Sequence, residues 1–468
     1  MQLLTIGLLG GALILYLSSL NWRRSVKTAL IIALLEGALR KWMFPQASEL
    51  IYFLKDFILV GAYINYFYIY KRKYKKQPLS RYQFITILIC FAAIWCVFQA
   101  FNPSLGSPII GLFGLKNYLL YIPLIWIVPF LFDSEESLYR FLRAYLLTLI
   151  PIGLLAIAQY LSPSSSPLNV YVQDHSTGIA QFGEAVRVTG TFSYIAGYTT
   201  YLLVCFTLLL SQLTRKQSSL WFGLTLVELC LIVVTSIMTG SRGLLIAFAL
   251  ILIGYFGVLG VTNVSNLSRS IQKVLIPMLL VMGLAIFRFG AAIEALWSRG
   301  GNSQDVLPRI ANSFTQVSHF FQYKLLDGYG TGATFQANSA IRQLFHLPRG
   351  EIIPVGYESE MGRIALDLGP IGFFIWYGLK LALVFALWKT YRKLKRPFLQ
   401  QLALLSFWLQ SVTFTNQLVY NHTAGLYHWF IFGFIFLLPR LEQLQNWQVF
   451  YQLQVNNQAS TFPGSHQA

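Results

Sequence analysis

Apolar runs long enough to cross a bilayer recur from one end of this chain to the other, and they restrict its fold more than any other feature. A span needs about 20 consecutive apolar residues, and because lipid offers no partner to backbone polar groups, the span must be helical or part of a closed barrel. About thirteen runs meet that length, near 3–20, 28–44, 50–70, 83–101, 117–132, 143–161, 191–212, 220–238, 243–261, 273–289, 369–388, 400–418 and 424–439. The second is the weakest, because Glu36, Arg40 and Lys41 fall within it. The first lacks a basic leader and a small-residue cleavage site, which predicts a retained helix rather than a removed signal. The expected fold is all-α, a polytopic transmembrane helical bundle of about 12–13 spans. Composition agrees: 56% of residues are hydrophobic and 11% charged, where a soluble domain carries about 25% charged. Cys90, Cys96, Cys205 and Cys230 all lie in apolar runs, with neither metal-ligand spacing nor a disulfide framework.

A net charge of +18 would suit a nucleic-acid binder, but the basic residues occupy short loops between apolar runs, the positive-inside pattern. No nucleic-acid partner is expected. Basic clusters follow the first span (Arg23, Arg24, Lys27), the third (Lys71, Arg72, Lys73, Lys75, Lys76), the seventh (Arg215, Lys216), the ninth (Arg269, Lys273) and the eleventh (Lys389, Arg392, Lys393, Lys395, Arg396). All follow odd-numbered spans and so share one face, the cytoplasmic one; acidic Asp133, Glu135 and Glu136 on that face carry little weight. The chain then divides into N-terminal helices (1–180), core helices (181–289), a large extracytoplasmic loop (290–368), C-terminal helices (369–444) and a polar tail (445–468).

Three segments fall outside: 163–190, the turn Thr239-Gly-Ser-Arg242, and 290–368. Arg242 sits where two apolar runs meet. A guanidinium does not lose its proton, so it either snorkels to the headgroups or grips an anion at the membrane surface. The long outer segment adds Arg299, Arg309, Lys324, Arg342 and Arg349. Any one of these is an ordinary surface cation; as a set on the face that disfavours them, they point to an anion site. Trp297, Phe320, Tyr323, Tyr329 and Tyr357 could stack on sugar rings, though packing explains each. Intramembrane Asp56 and Glu228 are expected to be satisfied within the bundle. His422 and His428, near the outer ends of the last spans, are candidate lining residues.

Four pieces of sequence, within roughly 180–440, resemble the O-antigen ligase and polysaccharide polymerase superfamily of bacterial envelopes. They are Arg187-Val-Thr-Gly-Thr-Phe-Ser-Tyr194; Thr239-Gly-Ser-Arg-Gly243; Arg309 followed by Asp327-Gly-Tyr-Gly-Thr-Gly332; and Glu358 and Glu360 followed by Asp367-Leu-Gly-Pro-Ile-Gly372. The resemblance implies a GT-C-like fold in the bacterial inner membrane, with the catalytic face extracytoplasmic. It implies an undecaprenyl-diphosphate-linked oligosaccharide donor and a sugar hydroxyl acceptor. In the ligase pattern a His precedes the final Gly by eleven positions; counting back from Gly369, Glu358 stands there. That departure favours a polymerase of lipid-linked repeat units over a ligase acting on lipid A-core. A transporter of the same lipid-linked glycan is the other reading; it is disfavoured because the charges cluster at one face and no internal repeat stands out.

On this reading Glu358 is the catalytic base, and Arg242 and Arg309, joined by Arg187, bind the diphosphate. Glu360, His346 and Lys324 form a second tier. The alternative for Glu358 is an ion pair with Arg363. No cofactor and no metal are expected, since arginines can do a metal's electrostatic work. Membrane lipids are partners, and a chain-length regulator is a candidate one.

Overall fold

A computed structural model of the protein describes residues 2–70, 83–172, 181–182, 185–213, 215–262, 271–288, 306–324 and 326–460. The chain folds as α1 (Gln2–Ser18), α2 (Trp22–Ala38), α3 (Leu54–Ile64), α4 (Gln83–Ala100), α5 (Pro108–Leu119), α6 (Glu135–Leu146), α7 (Leu149–Leu161), α8 (Ile195–Gln212), α9 (Ser219–Met238), α10 (Arg242–Thr262), α11 (Ile276–Arg288), α12 (Val306–Thr315), α13 (Asn338–Leu344), α14 (Glu360–Lys393), α15 (Pro397–Val412), α16 (His422–Phe432) and α17 (Phe434–Ser460), with shorter turns between. The only strands among the described residues are Gln181–Phe182 and Ala185–Val186, paired antiparallel.

Nine helical segments among the described residues are long and apolar enough to cross a membrane, as a multi-pass protein requires. The other four expected spans are helical where described but are not among these nine. Helices α1 and α2 have 17 residues each, α11 has 13 and α15 has 16. Arg23, Arg24, Lys27 and Glu36 dilute α2, and Pro397 at its first turn fixes where α15 starts.

The most enclosed helices are α8, α16 and the start of α17. Tyr198, Phe206, Phe432 and Phe434 are fully buried there, as expected of helices apolar on every side. Helix α8 packs against α9, α10, α15 and α16; α14 packs against α4 and α15; and α3 packs against α1 and α2. Helix α4 forms part of the outer wall. Phe84, Phe91 and Phe98, spaced seven residues apart on one stripe, are 66%, 59% and 65% exposed, a surface suited to lipid.

Residues 328–332 of the predicted outer segment are inserted into the bundle, while much of the rest of its described part is exposed. Tyr329 N donates to Leu366 O (2.7 Å) and Gly330 N to Asp367 O (3.0 Å). Thr331 N donates to Gln99 O (3.1 Å), and its hydroxyl to Cys96 O (2.7 Å). This approach needs glycine on the facing helix, because a Cβ at Gly114 would lie 2.2 Å from Thr331 O. Helix α14 is broken at Gly369 (φ 68°, ψ 179°), ahead of Pro370. A Cβ there would lie 2.4 Å from Leu326 O, and the positive φ also favours glycine. The break sets a short helical piece, 360–368, apart from the rest of the span. Both intramembrane acids are paired: Glu228 with Arg143 at 2.6 Å, and Asp56 with Lys116 at 2.6 Å and the Tyr121 hydroxyl at 2.7 Å.

Candidate active site

The Thr239–Ser241 turn is built by its own side chains. Helix α9 ends at Met238, and Gly240 takes φ 64° to reverse the chain. The Thr239 hydroxyl donates to Ser236 O (2.7 Å) and accepts from Ser241 N (3.2 Å). Helix α10 then starts at Arg242. A second segment braces the turn: Arg187 Nε donates to Thr239 O (2.8 Å) and Val188 N to Met238 O (3.3 Å). That segment is fixed in turn by Gln159 Oε1, which accepts from Gly190 N (2.8 Å), and by Lys41 Nζ, which donates to Gly190 O (2.9 Å). Arg187 and Arg242, both half-buried, therefore belong to one turn despite their separation in sequence.

The turn borders a partly open cavity of about 290 Å³ lined by α8, α10, the end of α15, the 413–418 loop and α16. Ser241 and Gly243 line it from the turn, Thr199 and Thr200 from α8, and Asn416 and Gln417 from the loop. These polar residues share one end. Toward the bundle interior the wall is mainly aliphatic, with Leu203, Leu244, Leu250, Leu409 and Ile431, and includes the buried Gln410 and Tyr427. His428 also lines it. Such a cavity suits a molecule with a polar head and an apolar tail.

The 413–419 loop is held by α14 and the residues just before it. Glu360 Oε1 accepts from Leu418 N (3.0 Å) and Val419 N (2.9 Å), Lys380 Nζ donates to Phe414 O (2.5 Å), and Gln417 Nε2 donates to Glu358 O (2.9 Å). The Thr239–Gly243 turn thus gives Ser241 and Gly243 to the cavity wall while Arg242 does not line it, and the Glu358–Glu360 segment holds the loop that supplies Asn416 and Gln417 without lining the cavity itself.

The expected site residues separate accordingly. Glu358 is exposed, its backbone tied to a lining residue. It forms no pair with Arg363, which donates to Thr334 O (3.3 Å) and lies 5.5 and 5.7 Å from the rings of Tyr357 and Tyr420. Glu360 is 1% exposed and occupied with backbone N–H groups. His346 is exposed, with φ 51°, lies two residues past α13, and does not line the cavity. Lys324 donates to Glu351 (2.7 Å) and to the Ser104 hydroxyl (3.1 Å); the hydrogen bond from Lys324 holds the Glu351 carboxyl below its usual range. Arg309 lies on α12. Its side chain, like Trp297 and Arg299, lies outside the described residues. His422 faces another cluster, with Asn117 Oδ1 at 2.8 Å and Lys116 Nζ at 3.2 Å.

Sequence reasoning missed Asn416 and Gln417. The only signal was the neutral polar stretch Thr413-Phe-Thr-Asn-Gln417 between two apolar runs. Among the described residues, no group of three His, Cys, Asp or Glu side chains could hold a metal ion. No protein-family profile matches the chain, and no curated protein matches it.

Proposed function

We propose that the chain is a membrane glycosyltransferase that polymerises polyprenyl-diphosphate-linked oligosaccharide repeat units into an envelope polysaccharide on the extracytoplasmic face. One observation carries this reading: two motifs far apart in sequence meet at one cavity, the Arg242 turn through Ser241 and Gly243 in its wall and the Glu358–Glu360 segment through the lining loop it holds, and that cavity is polar at one end and mainly aliphatic within. A lipid-linked sugar diphosphate has that polarity profile.

On this reading the isoprenoid lies along Leu203, Leu244 and Leu250, and the diphosphate lies at the turn. Arg242 and Arg309, with Arg187, oppose the charge that grows on the leaving diphosphate, an interaction stronger in the transition state than in the ground state. The acceptor hydroxyl attacks the anomeric carbon as the bond to the diphosphate oxygen breaks. Its proton passes to the Glu358 carboxylate, which is exposed and adjoins the loop bearing Asn416 and Gln417. The anomeric centre inverts, and polyprenyl diphosphate leaves.

The test uses the purified full chain in nanodiscs, given polyprenyl-diphosphate oligosaccharide in the presence of EDTA. The expected result is a product ladder that survives the chelator and falls about 100-fold or more in Arg242→Ala, Arg309→Ala and Glu358→Gln. Undiminished product in Glu358→Gln would remove it as the base. A single transfer to lipid A-core would make the protein a ligase, and transbilayer movement with no new glycosidic bond would make it a transporter.

A further inference from the structure

Beside the main cavity lies a second, much smaller one of about 10 Å³, lined by Asn117, Tyr118, Lys380, Leu418 and His428 among others. His428 and Leu418 line both, so these two residues lie between them. The small cavity has room for about one water molecule. Its walls carry buried polar atoms that no protein group satisfies. Asn117 is 4% exposed and His428 6%, and Asn117 Nδ2 and His428 Nδ1 are both enclosed without a hydrogen-bond partner. Lys380 Nζ donates to Phe414 O and has further N–H groups to give. Asn117 Oδ1 is already used, accepting from His422 Nε2 at 2.8 Å, so the Asn117 amide must present its NH₂.

We propose that His428 is a neutral hydrogen-bond donor at the wall of the main cavity, giving its Nε2–H to a phosphate oxygen of the lipid-linked donor. It is fixed in that tautomer by one water shared with Asn117 and Lys380. The donor inventory dictates the direction of each bond. The Asn117 NH₂ and the Lys380 ammonium only donate, so together they fill the water's two lone pairs. The water's hydrogens then point outward, and His428 Nδ1 accepts one. A neutral imidazole that accepts at Nδ1 carries its proton on Nε2. On this proposal Nδ1 faces the small cavity and the edge bearing Nε2 faces the large one. His428 lies six residues into α16, about 9 Å along the axis from His422. A donor that stays neutral is cheaper to maintain at that depth than a cation. The proposal deepens the glycosyltransferase reading and rests on it for the identity of the ligand.

The test separates the two. Protein labelled with ¹⁵N-histidine is studied in nanodiscs, with His428→Gln used to assign the His428 signals. The expected spectrum shows neutral His428 in the Nε2–H tautomer. Farnesyl diphosphate, the probe, shifts Nε2 and leaves Nδ1 in place, and Asn117→Leu abolishes the tautomer preference. In turnover, His428→Leu lowers kcat roughly 10–100-fold with little change in KM, and His428→Gln, whose amide still donates, recovers part of the loss. An imidazolium or an Nδ1–H tautomer in the parent protein overturns the proposal, as does an Nε2 signal that ignores the probe. The tautomer and the probe response appearing without any glycan product would support the donor site while sinking the glycosyltransferase reading. The spectra of the parent chain decide the matter even if His428→Leu fails to fold.

Discussion

Glu360 distinguishes an anchor from a base, and its removal has a calculable cost. The carboxylate accepts two backbone N–H groups through one oxygen, from Leu418 at 3.0 Å and Val419 at 2.9 Å. Both bonds are charge-assisted and lie in a region where Glu360 is 1% exposed and Val419 3%. Hydrogen bonds to a charged group contribute about 1.5–3 kcal/mol each. Asn416 and Gln417 beside them are exposed, so water can partly replace the lost acceptor, and the lower bound applies. Glu360→Ala should therefore release the loop by ~3 kcal/mol, roughly a hundredfold in its opening equilibrium. Glu360→Gln keeps one carbonyl acceptor without the charge and should lose about half as much. Hydrogen-exchange mass spectrometry reads this directly: amides of 418 and 419 should exchange about a hundredfold faster in Glu360→Ala, with those in the middle of α8 unchanged. Because Gln417 and Leu418 line the cavity, KM for a lipid-linked substrate should rise before kcat falls in Glu360→Gln. Unaltered exchange at 418 and 419 in the alanine variant would refute the anchoring role. A kcat loss with unchanged KM in Glu360→Gln would point to chemistry at Glu360 itself.

The Arg143–Glu228 pair, at 2.6 Å with side chains 4% and 0% exposed, should respond asymmetrically in thermal unfolding. Glu228→Leu leaves a buried cation and should cost about 3–5 kcal/mol, whereas the double change Arg143→Met with Glu228→Leu should return close to the parent. Glu351, held below its usual range by Lys324, contributes stability that is complete above the ordinary carboxylate value. That contribution fades as acidification passes through its lowered folded value. The pair is partly solvated, so the effect is small, and Lys324→Met should flatten it in urea titrations run between about pH 6 and 3.

The order of helices was legible because lipid leaves the backbone almost no alternative to helix, and runs of Leu, Ile and Phe mark where that applies. The helix ends were less so. Helix α14 begins at Glu360, inside the stretch read as an outer loop. The Ser359 cap and the break at Gly369 that define its first piece are local events to which hydropathy is blind. The same applies to Asp327–Gly332, where the glycines serve close packing against α5 and α14 as well as chain reversal. At the site, Arg242 announced itself through the cost of a guanidinium between two apolar runs. Glu358 and Glu360 look interchangeable in sequence; only burial separates the exposed carboxylate from the enclosed one. Gln417 was invisible, because a neutral amide carries no cost that marks it out.

The charges that made the second span the weakest have a use that hydropathy does not score. Glu36 pairs with Lys55 and lies 3.7 Å from Arg40, while Asp56 pairs with Lys116, whose ammonium also meets His422. These contacts draw the end of α2, the start of α3, the end of α5 and the start of α16 into one buried polar cluster. Removing a single member would strand a partner, which costs several kcal/mol, so the cluster fixes the mutual register of these elements. From this fixed end Arg40 reaches the Ser193 hydroxyl (3.2 Å), and Lys41 reaches Thr189 and Gly190 (both 2.9 Å). Those residues follow Arg187, whose guanidinium meets the Thr239 turn. The N-terminal helices therefore reach the cavity indirectly: they hold the segment that braces the turn ahead of Arg242.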